Sequence, residues 1–140
     1  MIARAAYARL VYEDAAMTGL GFTQARVFAS NSVDTPERDQ PFIVINVDLA
    51  EKAFAGTGAE IVSFWVHWAR SKGRDYATID NALLRIKELM LAAQQFAGDD
   101  GWVLAAGSWI DTSRDLTDEA YDTLVKYITF RAAVRSVVTT

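Results

Sequence analysis

The 140-residue sequence predicts an α+β domain, a mainly antiparallel sheet of about four to five strands with an N-terminal helix and one long helix packed on one face. Three observations predict it. Residues 61–68, Ile-Val-Ser-Phe-Trp-Val-His-Trp, carry apolar side chains at every even position (Val62, Phe64, Val66, Trp68), the period-two signature of a strand with one buried face. After a turn cluster at Ser71 to Asp75, apolar residues recur at helical spacing through Ile79, Leu83, Ile86, Met90, Ala93 and Ala97. Residues 124–134 then alternate again, with Leu124, Ile128, Phe130, Ala132 and Val134 on one face and Val125, Tyr127, Thr129, Arg131 and Arg135 on the other.

The remaining elements follow in order. Residues 2–20 form a helix in which Ala6, Leu10, Val11, Asp14 and Met17 mark one row, closed by Gly19 and Gly21. That glycine pair is no dinucleotide loop, because it ends a helix instead of following a strand and has no third glycine. Arg26 to Ser30 is a short strand, and the polar, proline-broken run Asn31 to Gln40 reads as a mobile loop. Phe42 to Asp48 is a strand with Ile43, Ile45 and Val47 toward the core. Leu49 to Phe54 reads as a helical turn, and Gly56-Thr57-Gly58 returns the chain to the central strand as an antiparallel neighbour. Asp75 supplies an N-cap for the long helix and Gly98 its stop. A turn at Gly98 to Gly101 leads into a strand through Ile110, with Gly107 as the expected bulge, and Asp111 to Asp122 is a polar, acidic connection. Lys126 is the one charge on the apolar row of the closing strand, placed to reach the sheet's rim.

Composition narrows the function. The length fits one domain over residues 1–140, and 51% hydrophobic residues suffice for a core. There is no cysteine, so thiolate chemistry and cysteine zinc sites are excluded. A net charge of −4 argues against a general nucleic-acid-binding surface, which lysine and arginine would have to supply. The N-terminus lacks the apolar core of a signal peptide and no run of apolar residues is long enough to span a bilayer, so a soluble cytoplasmic chain is expected. His67, the only histidine, has no serine and carboxylate at a diagnostic spacing and reads as a structural or interface residue. The acidic runs lack calcium-loop spacing, and neither a phosphate loop nor a nucleophile elbow is present. Trp68 and Trp102 fall on apolar phases and belong to the core. Trp65 and Trp109 fall on mixed faces and read as protein-interface anchors.

Several phrases recur in a recognisable order: an N-terminal helix, a polar loop, Pro-Phe-Ile-Val-Ile at Pro41 to Ile45, the strand Ser63 to His67, Arg-Asp-Tyr-x-x-Ile-Asp at Arg74 to Asp80, and Ile-Thr-Phe-Arg at Ile128 to Arg131. In this order the chain resembles the tail terminator (tail completion) proteins of long-tailed bacteriophages and gene-transfer particles. The resemblance implies a structural protein of the virion tail, assembled in the host cytoplasm, without enzymatic activity, cofactor or metal. Its partners would be further copies in a hexameric ring, the tail tube protein, and neck or head completion proteins. DNA would pass through the ring without specific binding, and no membrane is involved. The sheet's second face is the expected subunit interface, through Trp65, His67, Val125, Tyr127, Arg131 and Arg135. The alternatives are a neck or head–tail joining protein and, from a different class, a small ligand-binding or enzymatic α+β domain, which would need a deep pocket with convergent ionisable groups.

Overall fold

The computed structural model describes residues 3–29, 40–52 and 57–136. The elements are α1 (Arg4–Tyr12), α2 (Ala15–Gly19), β1 (Val27–Phe28), β2 (Phe42–Lys52), β3 (Thr57–Ala69), α3 (Ala77–Ala92), β4 (Phe96–Ala97), β5 (Trp102–Thr112), β6 (Leu116–Asp118) and β7 (Thr123–Ser136). The class is α+β, but the sheet is larger than the four to five strands expected and is not wholly antiparallel. It has seven strands in the order β1-β2-β3-β7-β5-β4, with β6 also on β7, and β1 lies parallel to β2. β1 is the short strand expected at Arg26 to Ser30; the extra strands are β4 and β6, two and three residues long, too short to display a period in sequence.

The sheet is built on three long antiparallel strands. β7 pairs with β3 along its whole length, from Thr57 with Arg135 to Ala69 with Thr123. Its other edge is filled first by β5, from Ser136 to Ile128, and then by β6, from Val125 to Thr123. Ser113 bridges the two: its backbone N–H donates to the Tyr127 carbonyl and its hydroxyl accepts from the Tyr127 N–H. The predicted faces of β3 and β7 are correct. Val62, Phe64, Val66, Leu124, Ile128, Phe130, Ala132 and Val134 are buried in one cluster with Ile79, Leu83, Ile86 and Met90 of α3. Phe64 sits at its centre, edge-on to Tyr7 of α1 at 6.4 Å and to Phe130 at 5.9 Å.

Several local expectations need correction. The N-terminal helix breaks at Glu13-Asp14, because Asp14 caps α2, its carboxylate accepting the Met17 N–H at 3.2 Å. The same carboxylate receives Arg85 of α3 at 2.7 and 3.0 Å, and this hydrogen bond holds Asp14 below the usual carboxylate range. Residues Leu49–Lys52 continue β2 and are not a helical turn, while 53–56 lie outside the described residues. So do residues 30–39, which include nearly all of the loop expected to be mobile.

At α3, Asp75 does accept a first-turn N–H, that of Ala77 at 2.8 Å, although Tyr76 occupies the cap position. The helix ends at Ala92, earlier than Gly98. Gln95 turns left-handed (φ 52°) and Phe96–Ala97 pair with β5, so Ala97 matched the helical spacing only by coincidence. Gly98 serves a close approach: a Cβ there would lie 2.6 Å from the Ala6 nitrogen. Gly107 does likewise, its missing Cβ leaving room for the Met90 carbonyl at 2.8 Å, and it is not the bulge. The bulges fall at Ala105 and Ile110.

A candidate subunit-interface surface

The six residues expected at an interface alternate with core residues on β3 and β7, so register places them on the sheet face away from the helices. At its middle Trp65 lies opposite Tyr127, ring centroids 4.5 Å apart and tilted by 36°, and both rings are half-buried. The next row is polar, with the Ser63 and Thr129 hydroxyls 2.8 Å apart. Arg131 follows, exposed, opposite Ile61. Arg135, half-buried at the far end, donates to the Gln95 side chain in the connection between α3 and β4.

His67 and Val125 are placed differently. Both are buried, at 4% and 3% exposure, where β6 extends the sheet beside β7 and Tyr121, in the turn after β6, packs on this end of the face. The His67 ring stacks on Phe42 at 4.3 Å and nearly parallel, and Tyr121 stands edge-on to both rings at 5.6 and 5.5 Å. Its Nδ1 shares a 2.8 Å hydrogen bond with the buried Thr123 hydroxyl. Burial pushes the imidazole down to about 4, against a smaller upward pull from Asp118, so the ring is neutral near pH 7. His67 is thus packed within the subunit, where its sequence neighbours left a structural and an interface reading open. The surface left open keeps Trp65, Tyr127, Arg131 and Arg135.

Of the tryptophans, Trp68 and Trp102 pack against the core as expected, whereas Trp109 is 45% exposed. Sequence reasoning passed over Glu60, which continues the even, apolar phase of β3 into the core. Its Oε1 accepts the Ala3 N–H at 3.0 Å and the Tyr7 hydroxyl at 2.8 Å, while Oε2 is buried without a partner. Burial, reinforced by the Glu60 charge, raises Tyr7 far above the usual phenol range. Extending the alternation back two residues from Val62 would have found this carboxylate. The sequence also hid an apolar margin made of Leu84 and Leu91 of α3 with Trp109 and Ile110 of β5, because the α3 residues lie off the helix's core row.

Among the described residues, no three His, Asp or Glu side chains gather where they could hold a metal ion, and no helix is long and apolar enough to cross a membrane. A shallow groove of about 180 Å³ between α3 and the end of β5 is lined by Leu83, Leu84, Ile128 and Thr112, with Asp80, Lys87 and Lys126 at its rim. Lys126 reaches that rim from the apolar row, as its length allows, and pairs with Asp80 at 2.7 Å and Asp115 at 3.3 Å. These are surface ion pairs around an open groove.

No protein-family model matches the chain, and no curated protein matches it. Among solved structures, the fold is similar to that of a chain in the "Virion of native gene transfer agent (GTA) particle". The likeness covers 95% of this chain and 94% of that one, with a TM-score of 0.71 and 16% sequence identity. At that identity what is shared is the fold.

Proposed function

We propose that this chain is a structural protein of a phage-like virion, a ring subunit that caps the tail tube, stops its polymerisation and joins the tail to the neck of the head. The observation that carries the reading is the likeness to a gene transfer agent virion chain, end to end on both chains and not confined to one motif. The resemblance of the Pro41 to Ile45, Arg74 to Asp80 and Ile128 to Arg131 phrases to tail terminators narrows it to this place in the particle.

The chemistry suits the task. A ring closes when each subunit presents one surface to a different surface of its neighbour, and closure at a fixed count, here six, gives a definite stop. The Trp65–Tyr127 pair is a rigid aromatic platform and Arg131 a planar donor beside it, the side-chain types that anchor interfaces. The net charge of −4 keeps the ring from holding DNA that passes through it. Its partners would be its own copies, the tail tube protein and the neck proteins.

The test is the double variant Trp65→Ala with Tyr127→Ala, assembled with tail tube protein. It should stay folded by circular dichroism, fail to form rings on tubes, and yield tails longer than normal in electron micrographs. Normal-length tails with intact rings would remove these residues from the interface. Binding to the portal side in place of the tube would reassign the chain to the neck, and a catalytic activity independent of tubes would overturn the assembly reading.

A further inference from the structure

All four large apolar side chains that stand exposed among the described residues lie on one margin, where α3 meets the outer edge of β5: Leu84 (60%), Leu91 (50%), Ile110 (49%) and Trp109 (45%). They are contiguous, because Lys87, one turn beyond Leu84, sets its ammonium 4.2 Å from the Trp109 ring centre. Leu84 is also a wall of the 180 Å³ groove, and Thr112, which accepts the Trp109 indole N–H at 2.9 Å, lines it too. Ile110 is the extra residue of a bulge, the device by which a strand re-aims a side chain out of its ladder. β4 covers β5 only at Val103 and Leu104, so no described strand lies beside this stretch. Apolar exposure gathered in this way marks a contact surface.

We propose that this margin is where a second copy of the same chain docks, across a two-fold axis running along β5. A protruding Ile110 and a shallow groove within two residues of it form a knob and a hole on one patch. A two-fold contact requires that arrangement, since each copy must offer what it receives.

Charge agrees. Among the described residues, Lys87 has the Trp109 ring as neighbour and no ion pair, and Asp111, exposed, has none either. Asp111 lies opposite Thr129, whose hydroxyl meets Ser63, so it is on the sheet face away from the helices, whereas Lys87 is on the helical side. A two-fold axis along the strand preserves height and exchanges the two faces. It brings Asp111 of one copy beside Lys87 of the other, since Asp111 is one ladder row from Trp109. The contact then holds two equivalent ion pairs flanking two Ile110 knobs. The proposal goes beyond the ring reading and does not rest on it: Trp65 and Tyr127 lie on β3 and β7, inside the sheet from the edge that β5 offers, and a ring is closed by head-to-tail contacts.

The experiment is sedimentation of the purified chain, without tube protein, over a concentration series. The wild type should show a reversible monomer–dimer equilibrium. Lys87→Glu and Asp111→Lys should each weaken it about tenfold or more, because each opposes like charges across the axis, and the two together should restore it. Ile110→Lys should abolish it. Asp111 and Ile110 are exposed and Lys87 is half-buried, and unchanged circular dichroism establishes that the variants fold. A wild type that stays monomeric throughout, or a dimer indifferent to the single charge reversals, would overturn the proposal. So would a double reversal that fails to rescue. Loss of dimer in Trp65→Ala with the charge reversals silent would move the contact to the Trp65–Tyr127 surface and overturn the proposal.

Discussion

The two faces of the sheet are closed by different means. Under the helices, burial is continuous from Val62 through Val66 and Leu124 through Val134, with Ile79, Leu83, Ile86 and Met90 laid across it, so that each side chain is held by many neighbours. On the opposite face one end is sealed by β6 and a cluster of three rings, His67, Phe42 and Tyr121, and at the other Val103 is buried opposite Arg135. On β3 and β7 the helical face keeps its ionisable side chains, Glu60 and Lys126, away from the central Phe64 row. The sealed corner of the other face depends on an imidazole staying neutral, and the middle of that face is left for something else to cover.

Breaking the helical face should have the largest effect. Phe64→Ala empties the centre of the core and should cost about 3–5 kcal/mol in urea unfolding. A loss under about 1 kcal/mol would mean that the two faces contribute equally. The sealed corner should respond to pH. With the folded His67 at about 4 and the unfolded imidazole near 6.5, the unfolded chain binds the extra proton between those values. Stability contributed by the neutral ring is complete above about pH 6.5 and is lost as pH falls toward 4, about 3 kcal/mol in all. Unfolding curves at pH 7 and pH 4.5 should converge less steeply in His67→Gln than in the wild type; equal pH slopes would sink the role of the imidazole.

The comparison sharpens further at the ion pairs. Asp14→Ala removes both the cap of α2 and the partner of Arg85 on the helical side and should cost about 1–2 kcal/mol by chemical denaturation. Asp80→Ala, whose partner Lys126 keeps Asp115, should cost well under about 1 kcal/mol in the same assay. In the open middle of the second face Trp65→Ala removes a half-covered aromatic pair worth about 1 kcal/mol, more than the Asp80→Ala loss and well below that of Phe64→Ala. A loss as large as that of Phe64→Ala would show that this face is also core.

What could be read from sequence depended on the length of each periodic run. β3 and β7 repeat apolar residues over enough positions for their phase to be unambiguous, and Phe64, Ile128 and Phe130 lie where alternation puts them. Two-residue strands such as Phe96–Ala97 have no period to read, and Ala97 was absorbed into the preceding helical spacing. The interface residues divide on the same principle. Alternation assigned His67 and Val125 to the correct face, but what covers them, Leu116 through Thr123, lies between them in the chain and arrives by a turn whose destination is not local information. Glu60 is a conflict between pattern and chemistry, a carboxylate in an apolar phase, resolved only by the N-terminal segment that brings the Ala3 N–H and the Tyr7 hydroxyl to it.

The place of β7 has a consequence in time. It is the latest of the described strands in sequence, yet it occupies the middle of the sheet, and its partners on β3 lie between 54 residues away (Ala69 with Thr123) and 78 residues away (Thr57 with Arg135). A ribosome releases β2, β3, α3 and β5 before the strand that joins them, so β3 and β5 wait with bare edges on opposite sides of a gap. Closing that gap costs chain entropy before any contact rewards it, which makes folding slow for a domain of this size. During the wait the exposed edges can pair with those of other nascent chains. Refolding from urea should therefore be limited by insertion of β7, and chains truncated before Thr123 should aggregate and not fold.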